Sequence, residues 1–250
     1  MRQKARKNRR HGKRIVLTLL VLILTISAVL AVANQTVLQD FLHFNASVAS
    51  MEHGWNLILV NGEYKIPKDW KVELTELSNG QSVDSRIYPD LQQMFDDMRT
   101  QGVYPVVASG YRTAKKQQEL MDEKVNSFLA QGYSKSEAKS EAKKWVAGVG
   151  YSEHQTGLAV DINADGVNSS GQQVYAWLAD NAWKYGFILR YPEDKTEITK
   201  TDYEPWHYRY VGKEAAKEIY ESGLCLEEYI GMMQTMFALS SSVGMLLRIV

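Results

Sequence analysis

Hydrophobic and polar positions divide the chain into three unequal parts. Ile15 to Ala33 is a run of nineteen residues without a charge, interrupted only by Thr18, Thr25 and Ser27. At 1.5 Å per residue such a helix reaches about 28 Å, close to the hydrocarbon thickness of about 30 Å, and so predicts a membrane-spanning segment. Residues 34–54 are mixed and read as a tether. From Trp55 to about residue 230 the apolar positions recur in short patterns, as in a folded body. The last part, 231–250, is rich in Met and Leu but broken by Gln234, Thr235 and Ser240 to Ser242. Its pattern admits a marginal second span, a core-packed tail or a disordered one.

Within the body, Asn56 to Val60 is strand-like and ends at the turn signal Asn61-Gly62, and Lys71 to Leu77 alternates as a half-buried strand does. Leu91, Met94, Phe95 and Met98 share one helix face, ending by Gly102. Val103 to Ala108 predicts a strand, and Pro105 places it at an edge or near its start. Helices are expected over 114–130 and 135–146, the second opened by a capping box of Ser134 with Glu137. This polar pair reads first as a solvated hairpin, with a cover over one wall of a groove as the alternative. A helix over 172–184 capped by Ser170, strands over 186–191 and 207–211, and a helix over 213–222 closed by Gly223 complete the body. Strands and clustered helices without regular alternation indicate an α+β fold with a mainly antiparallel central sheet.

Charge changes this picture once it is mapped. The chain has 250 residues, with 29 Lys or Arg against 29 Asp or Glu. Residues 1–14 hold eight of the basic residues and no acid, so the remaining 21 face all 29 acids, a net charge of −8. The basic cluster orients the apolar run with its amino end in the cytoplasm, making a single-pass membrane protein whose body lies outside the cytoplasm. Ala31-Val32-Ala33 also resembles a signal-peptide cleavage site, so secretion after cleavage is the alternative. An acidic body argues against a nucleic-acid partner, and no glycine pattern here resembles the phosphate cradle of a nucleotide site. The single cysteine, Cys225, permits no intramolecular disulfide and reads as a buried, inert thiol. Trp145, Trp177 and Trp183 are expected in the core, with Trp206 shaping a pocket.

Candidate chemistry gathers around two of the five histidines. His154 lies in Ser152-Glu153-His154-Gln155-Thr156-Gly157-Leu158-Ala159-Val160-Asp161-Ile162-Asn163, where a turn at Gly157 lets a strand return Asp161 beside the imidazole. His207 follows Glu204-Pro205-Trp206, a turn that holds Glu204 near the same centre. Two His and one Asp suit zinc with a fourth position open to water. The residues alone also allow a satisfied core histidine, a capping aspartate and an ordinary strand entrance.

Three separated motifs, Ser109-Gly110-Tyr111-Arg112, the segment Ser152 to Asn163, and Glu204-Pro205-Trp206-His207, resemble in order and spacing the zinc D-alanyl-D-alanine carboxypeptidases of the VanY type, within the D,D-carboxypeptidase and D,D-dipeptidase superfamily. The resemblance covers roughly residues 55–228 and implies a hedgehog/D,D-peptidase-like fold. It implies one Zn2+ held by His154, Asp161 and His207, with Glu204 as catalytic base and Arg112 facing the substrate carbonyl or carboxylate. The substrate implied is a peptidoglycan stem peptide that loses its terminal D-alanine to metal-activated water, with Glu204 moving the proton to the leaving amine. Ser109, Tyr111, Gln117 and Ser152 are weaker candidates for substrate contacts, and Ser109 has no Lys or His beside it to recommend it as a nucleophile. Two alternatives stand: an L,D-carboxypeptidase acting on tetrapeptide stems, and a non-catalytic cell-wall binding module. With D,D activity, trimming of pentapeptide stems implies a role in glycopeptide resistance.

Overall fold

The computed structural model describes residues 54–235. The expected anchor at 15–33, most of the tether and the tail beyond 235 lie outside them; among the described residues no helix is long and apolar enough to cross a membrane.

Among the described residues, two antiparallel sheets and seven α-helices make an α+β body. Strands β1 (Leu74–Glu76) and β2 (Ser82–Asp84) form a hairpin, and helix α1 (Tyr88–Thr100) follows. Strand β3 (Pro105–Ser109) leads into α2 (Ala114–Ala130) and α3 (Lys135–Ala142), and β4 (Ala159–Ala164) into α4 (Gly171–Asn181). Then come β5 (Phe187–Leu189), the single turn α5 (Thr196–Thr199), β6 (His207–Tyr210), α6 (Lys213–Ser222) and α7 (226–235). The central sheet has the order β3-β4-β6-β5, every neighbouring pair antiparallel. Its edge strand β3 begins at Pro105, where the missing N–H leaves no inner ladder position unpaired.

Side-chain alternation gives the sheet two unlike faces. Val160 and Ile162 of β4, with Tyr208 and Tyr210 of β6, belong to a core cluster that includes Leu91, Met94, Phe95 and Met98 of α1 and Val174, Trp177 and Leu178 of α4. These α1 positions are the i, i+3, i+4, i+7 face expected from the sequence. A second cluster joins Ile188 of β5 to Val211, Ala215, Ala216 and Ile219 near α6 and to Leu226, Tyr229 and Ile230 of α7. The body is thus closed by α7, and the tail region as far as 235 is helical and packed.

Three expectations are corrected. Asn56 to Val60 is not a strand: Trp55–Leu57 is a 3-10 turn, and Ile58 and Val60 are buried as irregular chain. Their apolar run reflects burial, which periodicity cannot distinguish from a strand over so short a span. The strand read across 71–77 is paired only at Leu74–Glu76, because its partner β2, unforeseen in the sequence, offers just three residues. Trp145 is 63% exposed rather than in the core; α3 stops at Ala142, and the indole lies beneath Lys124, whose Nζ is 4.8 Å from the ring centre. Trp177 is buried as expected, and Trp183 packs partly buried beside the second cluster.

Candidate active site

The site stands on the other face of the central sheet and begins with one cross-strand pair. Asp161 of β4 is directly opposite His207 of β6, a placement that brings Cβ atoms to about 5 Å. Asp161 Oδ1 is 3.0 Å from His207 Nδ1. On the other side of β4, Ser109 at the end of β3 also pairs with Asp161, after a register shift between Val107 and Ser109 that re-aims the strand end.

His154 arrives from the turn before β4. Residues Glu153–Thr156 form a 3-10 turn that ends at Gly157, whose φ of 77° lies in the left-handed region and whose Cα is so close to β2 that a Cβ would meet Asp84 N at 3.0 Å. The chain thereby reverses and carries Asp161 back beside His154, with Asp161 Oδ2 3.4 Å from His154 Nε2. The neighbouring segment is fixed by β2. Gly110 passes so near Ser82 O that a Cβ would fall 2.2 Å from it, Tyr111 N donates to the same carbonyl at 2.6 Å, and Arg112 N donates to His154 O at 3.0 Å. His154 Nδ1 donates to Gly110 O at 2.8 Å, which fixes the tautomer with Nε2 free to ligate.

These placements converge three ligand atoms, one each from His154, Asp161 and His207, all within 4.8 Å of one another. Both imidazoles are buried and meet edge to face, centroids 4.9 Å apart. Two nitrogens and one carboxylate oxygen, with a cavity of about 360 Å³ in front of them, fit a zinc site that keeps a position open. In the metal-free protein burial lowers the His154 pKa, against the opposing pull of Asp161. Burial also lowers that of His207, but its hydrogen bond to Asp161 and the nearby Glu153 carboxylate outweigh this and push it up to about 9. Burial alone would raise the Asp161 carboxyl, yet the two imidazoles hold it far below the usual carboxylate range.

Glu204 and Arg112 flank the ligands. The turn Glu204-Pro205-Trp206-His207 closes with His207 N donating to Glu204 O at 3.1 Å, which sets Glu204 Oε2 3.6 Å from His207 Nδ1. Burial, with Asp161 nearby, raises the Glu204 pKa above the ordinary carboxylate value despite His207 and Arg112. Arg112 Nη2 bonds Asp161 Oδ2 at 3.0 Å and its Nε donates to Ser109 Oγ at 3.0 Å. Burial lowers the guanidinium pKa somewhat, opposed by Asp161 and Glu204.

The remaining sequence candidates are placed unequally. Ser152 and Gln117 line the cavity, and Gln117 is anchored by Nε2 donating to Ala147 O at 2.7 Å. Ser109 orients Arg112, and Tyr111 holds the backbone to β2 without lining the cavity. The helical pair is not a bystander: Gln117 and Leu120 of α2 and residues 143–147 after α3 form a wall of the cavity. Cys225 is buried, free and far from this chemistry in role, its thiol pushed up to about 12 chiefly by burial.

Sequence reasoning passed over Glu153, Arg190 and Arg209, all buried around His207. Their signal was present: Arg190 and Arg209 are charges set among the apolar residues of Phe187-Ile188-Leu189-Arg190 and His207-Tyr208-Arg209-Tyr210.

Comparison with known proteins bears on this geometry directly. The family model for VanY, D-alanyl-D-alanine carboxypeptidase, matches residues 80–213, a stretch that holds all three ligands, Glu204 and Arg112. The chain belongs to the VanY family. A D-alanyl-D-alanine carboxypeptidase of Enterococcus faecalis strain V583 is 62% identical over 179 residues, covering 72% of this chain and 67% of the relative. Among solved structures, a mutant of the vancomycin resistance D,D-pentapeptidase VanY from a VanB-type resistance cassette, in complex with Zn(II), aligns with a TM-score of 0.68 at 61% identity over 71% of this chain and 99% of that one. VanYB in complex with D-alanine-D-alanine gives the same TM-score at 62% identity, covering 71% and 98%. A relative at 61% identity thus binds Zn(II), and this chain brings together a three-residue set that fits the same ion.

Proposed function

We propose that this chain is a zinc D,D-carboxypeptidase that removes the terminal D-alanine from peptidoglycan stem peptides ending in D-Ala-D-Ala. One observation carries the reading: the His154, Asp161 and His207 set opens onto a cavity that also holds Glu204 and Arg112. A zinc ion held there would supply Lewis acidity and lower the pKa of bound water. The chain's own residues do the rest. His154, Asp161 and His207 hold the metal, and Glu204, with its raised pKa, takes the water proton and returns it to the leaving amine. Arg112 brings a fixed cation to the carbonyl oxygen or the terminal carboxylate, where negative charge must be met.

Identity above 60% to relatives named for D,D activity supports this specificity over the L,D alternative, and the complete ligand set supports catalysis over a non-catalytic wall module. We also propose that residues 15–33 tether the enzyme to the cytoplasmic membrane with its body outside, a reading supported by the basic cluster in 1–14. Trimming of pentapeptide stems then lowers the pool of D-Ala-D-Ala ends, the basis of a role in glycopeptide resistance.

The deciding experiment compares D-alanine release from pentapeptide and tetrapeptide stems by the zinc-loaded protein. Release from the pentapeptide alone is expected; preference for the tetrapeptide would transfer the assignment to L,D activity. Cleavage of the anchor segment would show as a mature chain starting after Ala33.

A further inference from the structure

Beside His207, at the floor of the cavity, Glu153 opens a buried charge cluster that the catalytic reading leaves unused. Glu153 is 2% exposed, and Arg190 and Arg209 are fully buried. Both guanidiniums converge on a single oxygen: Arg190 Nε donates to Glu153 Oε1 at 2.8 Å and Arg209 Nη1 to the same atom at 2.7 Å. The other oxygen, Glu153 Oε2, has no hydrogen-bond partner within range, and neither has His207 Nε2; the two buried atoms face one another at 3.6 Å. An unmet buried polar atom is costly, so two of them in apposition are a bond awaiting a small movement.

The chemistry of the zinc site says which movement. His207 turns Nδ1 toward Asp161 and Glu204, so Nδ1 is its metal-facing atom. A ligating nitrogen must offer its lone pair, which leaves the ring proton on Nε2, and Nε2–H then needs an acceptor. Glu153 Oε2 is the acceptor in place. We propose that Glu153 is the positioning residue for His207, holding its Nε2–H so that Nδ1 is the atom presented to zinc, and that Arg190, Arg209 and Glu227 hold Glu153 for that task. The proposal rests on the zinc reading above and adds to it residues outside the ligand set.

The outer members make the arrangement rigid. Arg190 gives its other two nitrogens to Glu227 of α7, Nη1 to Oε2 at 2.9 Å and Nη2 to Oε1 at 2.6 Å. Arg209 Nη2 donates to Asn56 O at 3.1 Å and Ile58 O at 2.7 Å, while its Nε donates to Tyr210 O at 3.1 Å. The chain at 56–58 and helix α7, both outside the stretch matched by the family model, are thereby tied to the orientation of a metal ligand. The turn that presents His154 also carries Glu153, so one four-residue element serves one imidazole directly and the other through Glu153.

Long-range 1H–15N spectra of the full-length, zinc-loaded protein read the tautomer directly. His207 should carry its proton on Nε2, slow to exchange with solvent; a proton on Nδ1 would overturn the proposal without any variant. Glu153→Gln should bind zinc about 10–100-fold more weakly in chelator competition and alter the visible spectrum of the cobalt-substituted protein, the usual scale for such outer partners of metal ligands. Glu227→Gln, remote from the metal, should weaken binding in the same direction by a smaller factor. Should Glu153→Gln not fold, Glu227→Gln and the wild-type spectra decide. Unchanged zinc affinity and cobalt spectrum in both variants would sink this inference while leaving the zinc reading intact. A wild-type protein that takes up no zinc would overturn both.

Discussion

The two faces of the four-stranded sheet are drawn from the same strands and made of opposite materials. On one, Val160, Ile162, Tyr208 and Tyr210 lie in a core with α1 and α4; on the other, Asp161, His207 and Arg209 alternate with them and meet His154, Glu153 and Arg112. The apolar face is held by non-directional burial, which tolerates small shifts. The polar face depends on individual bonds near 3 Å, which do not. A one-residue slip of β6 against β4 would exchange the faces, placing His207 in the core and Tyr208 at the metal. Core packing therefore fixes the register that the site requires, and the bonds among Asp161, His207, Arg112 and the buried charges set the side chains within it.

The comparison can be broken most severely from the polar side. His154→Ala or His207→Ala should abolish stoichiometric zinc binding and reduce D-alanine release by more than about 1,000-fold, measured as metal content and amino-acid release on the same sample. Glu204→Ala should lower kcat by about 100–10,000-fold while zinc content stays near one per chain, since Glu204 moves protons rather than completing the ligand set. Loss of zinc in that variant would return Glu204 to the metal. Arg112→Lys keeps the charge but loses the paired contacts to Asp161 and Ser109, and should cost about 10–100-fold in kcat/KM with metal retained.

The apolar side breaks differently. Ile162→Ala empties a fully buried position and should lower unfolding free energy by about 2–5 kcal/mol, while the folded, zinc-loaded fraction keeps most of its specific activity. A variant that folds well but cleaves poorly would show the two faces to be coupled beyond register.

How much of each face the sequence disclosed follows the same division. The α1 face, the capping box at Ser134, the cap at Ser170, the αL closure at Gly223 and the edge strand at Pro105 were legible, because local propensity and burial point the same way there. The metal ligands were legible because His154, Gly157 and Asp161 are close in sequence and their turn is written in the glycine. The strand β2 was not: Ser82-Val83-Asp84 is too short for a pattern, and its value lies in tertiary contacts to Gly110, Tyr111 and Gly157. The Glu153, Arg190 and Arg209 cluster escaped for a related reason. A charge inside a strand signals burial only when its partner is known, and here the partners are 37 and 56 residues away. Trp145 shows the converse error, an aromatic assigned to the core by default that stands at the rim of the site.

The smallest effect separates the faces by pH. Burial would raise the Glu227 carboxyl, but Arg190 holds it below the ordinary value of 4.5. A carboxyl whose folded pKa is depressed contributes stability that is fully present above its unfolded value and is lost as pH falls through the folded one. Ile162 carries no proton, so the penalty of Ile162→Ala should be the same at pH 7 and pH 4. The penalty of Glu227→Gln should instead be greatest at pH 7 and shrink as acid protonates the wild-type carboxyl. Chemical denaturation of the chelator-treated protein at a series of pH values tests this without the added proton linkage of zinc. A gap between wild type and Glu227→Gln that is constant down to pH 3 would mean that Glu227 acts by packing rather than by charge, and the Arg190 clamp would then be no more directional than the core it faces away from.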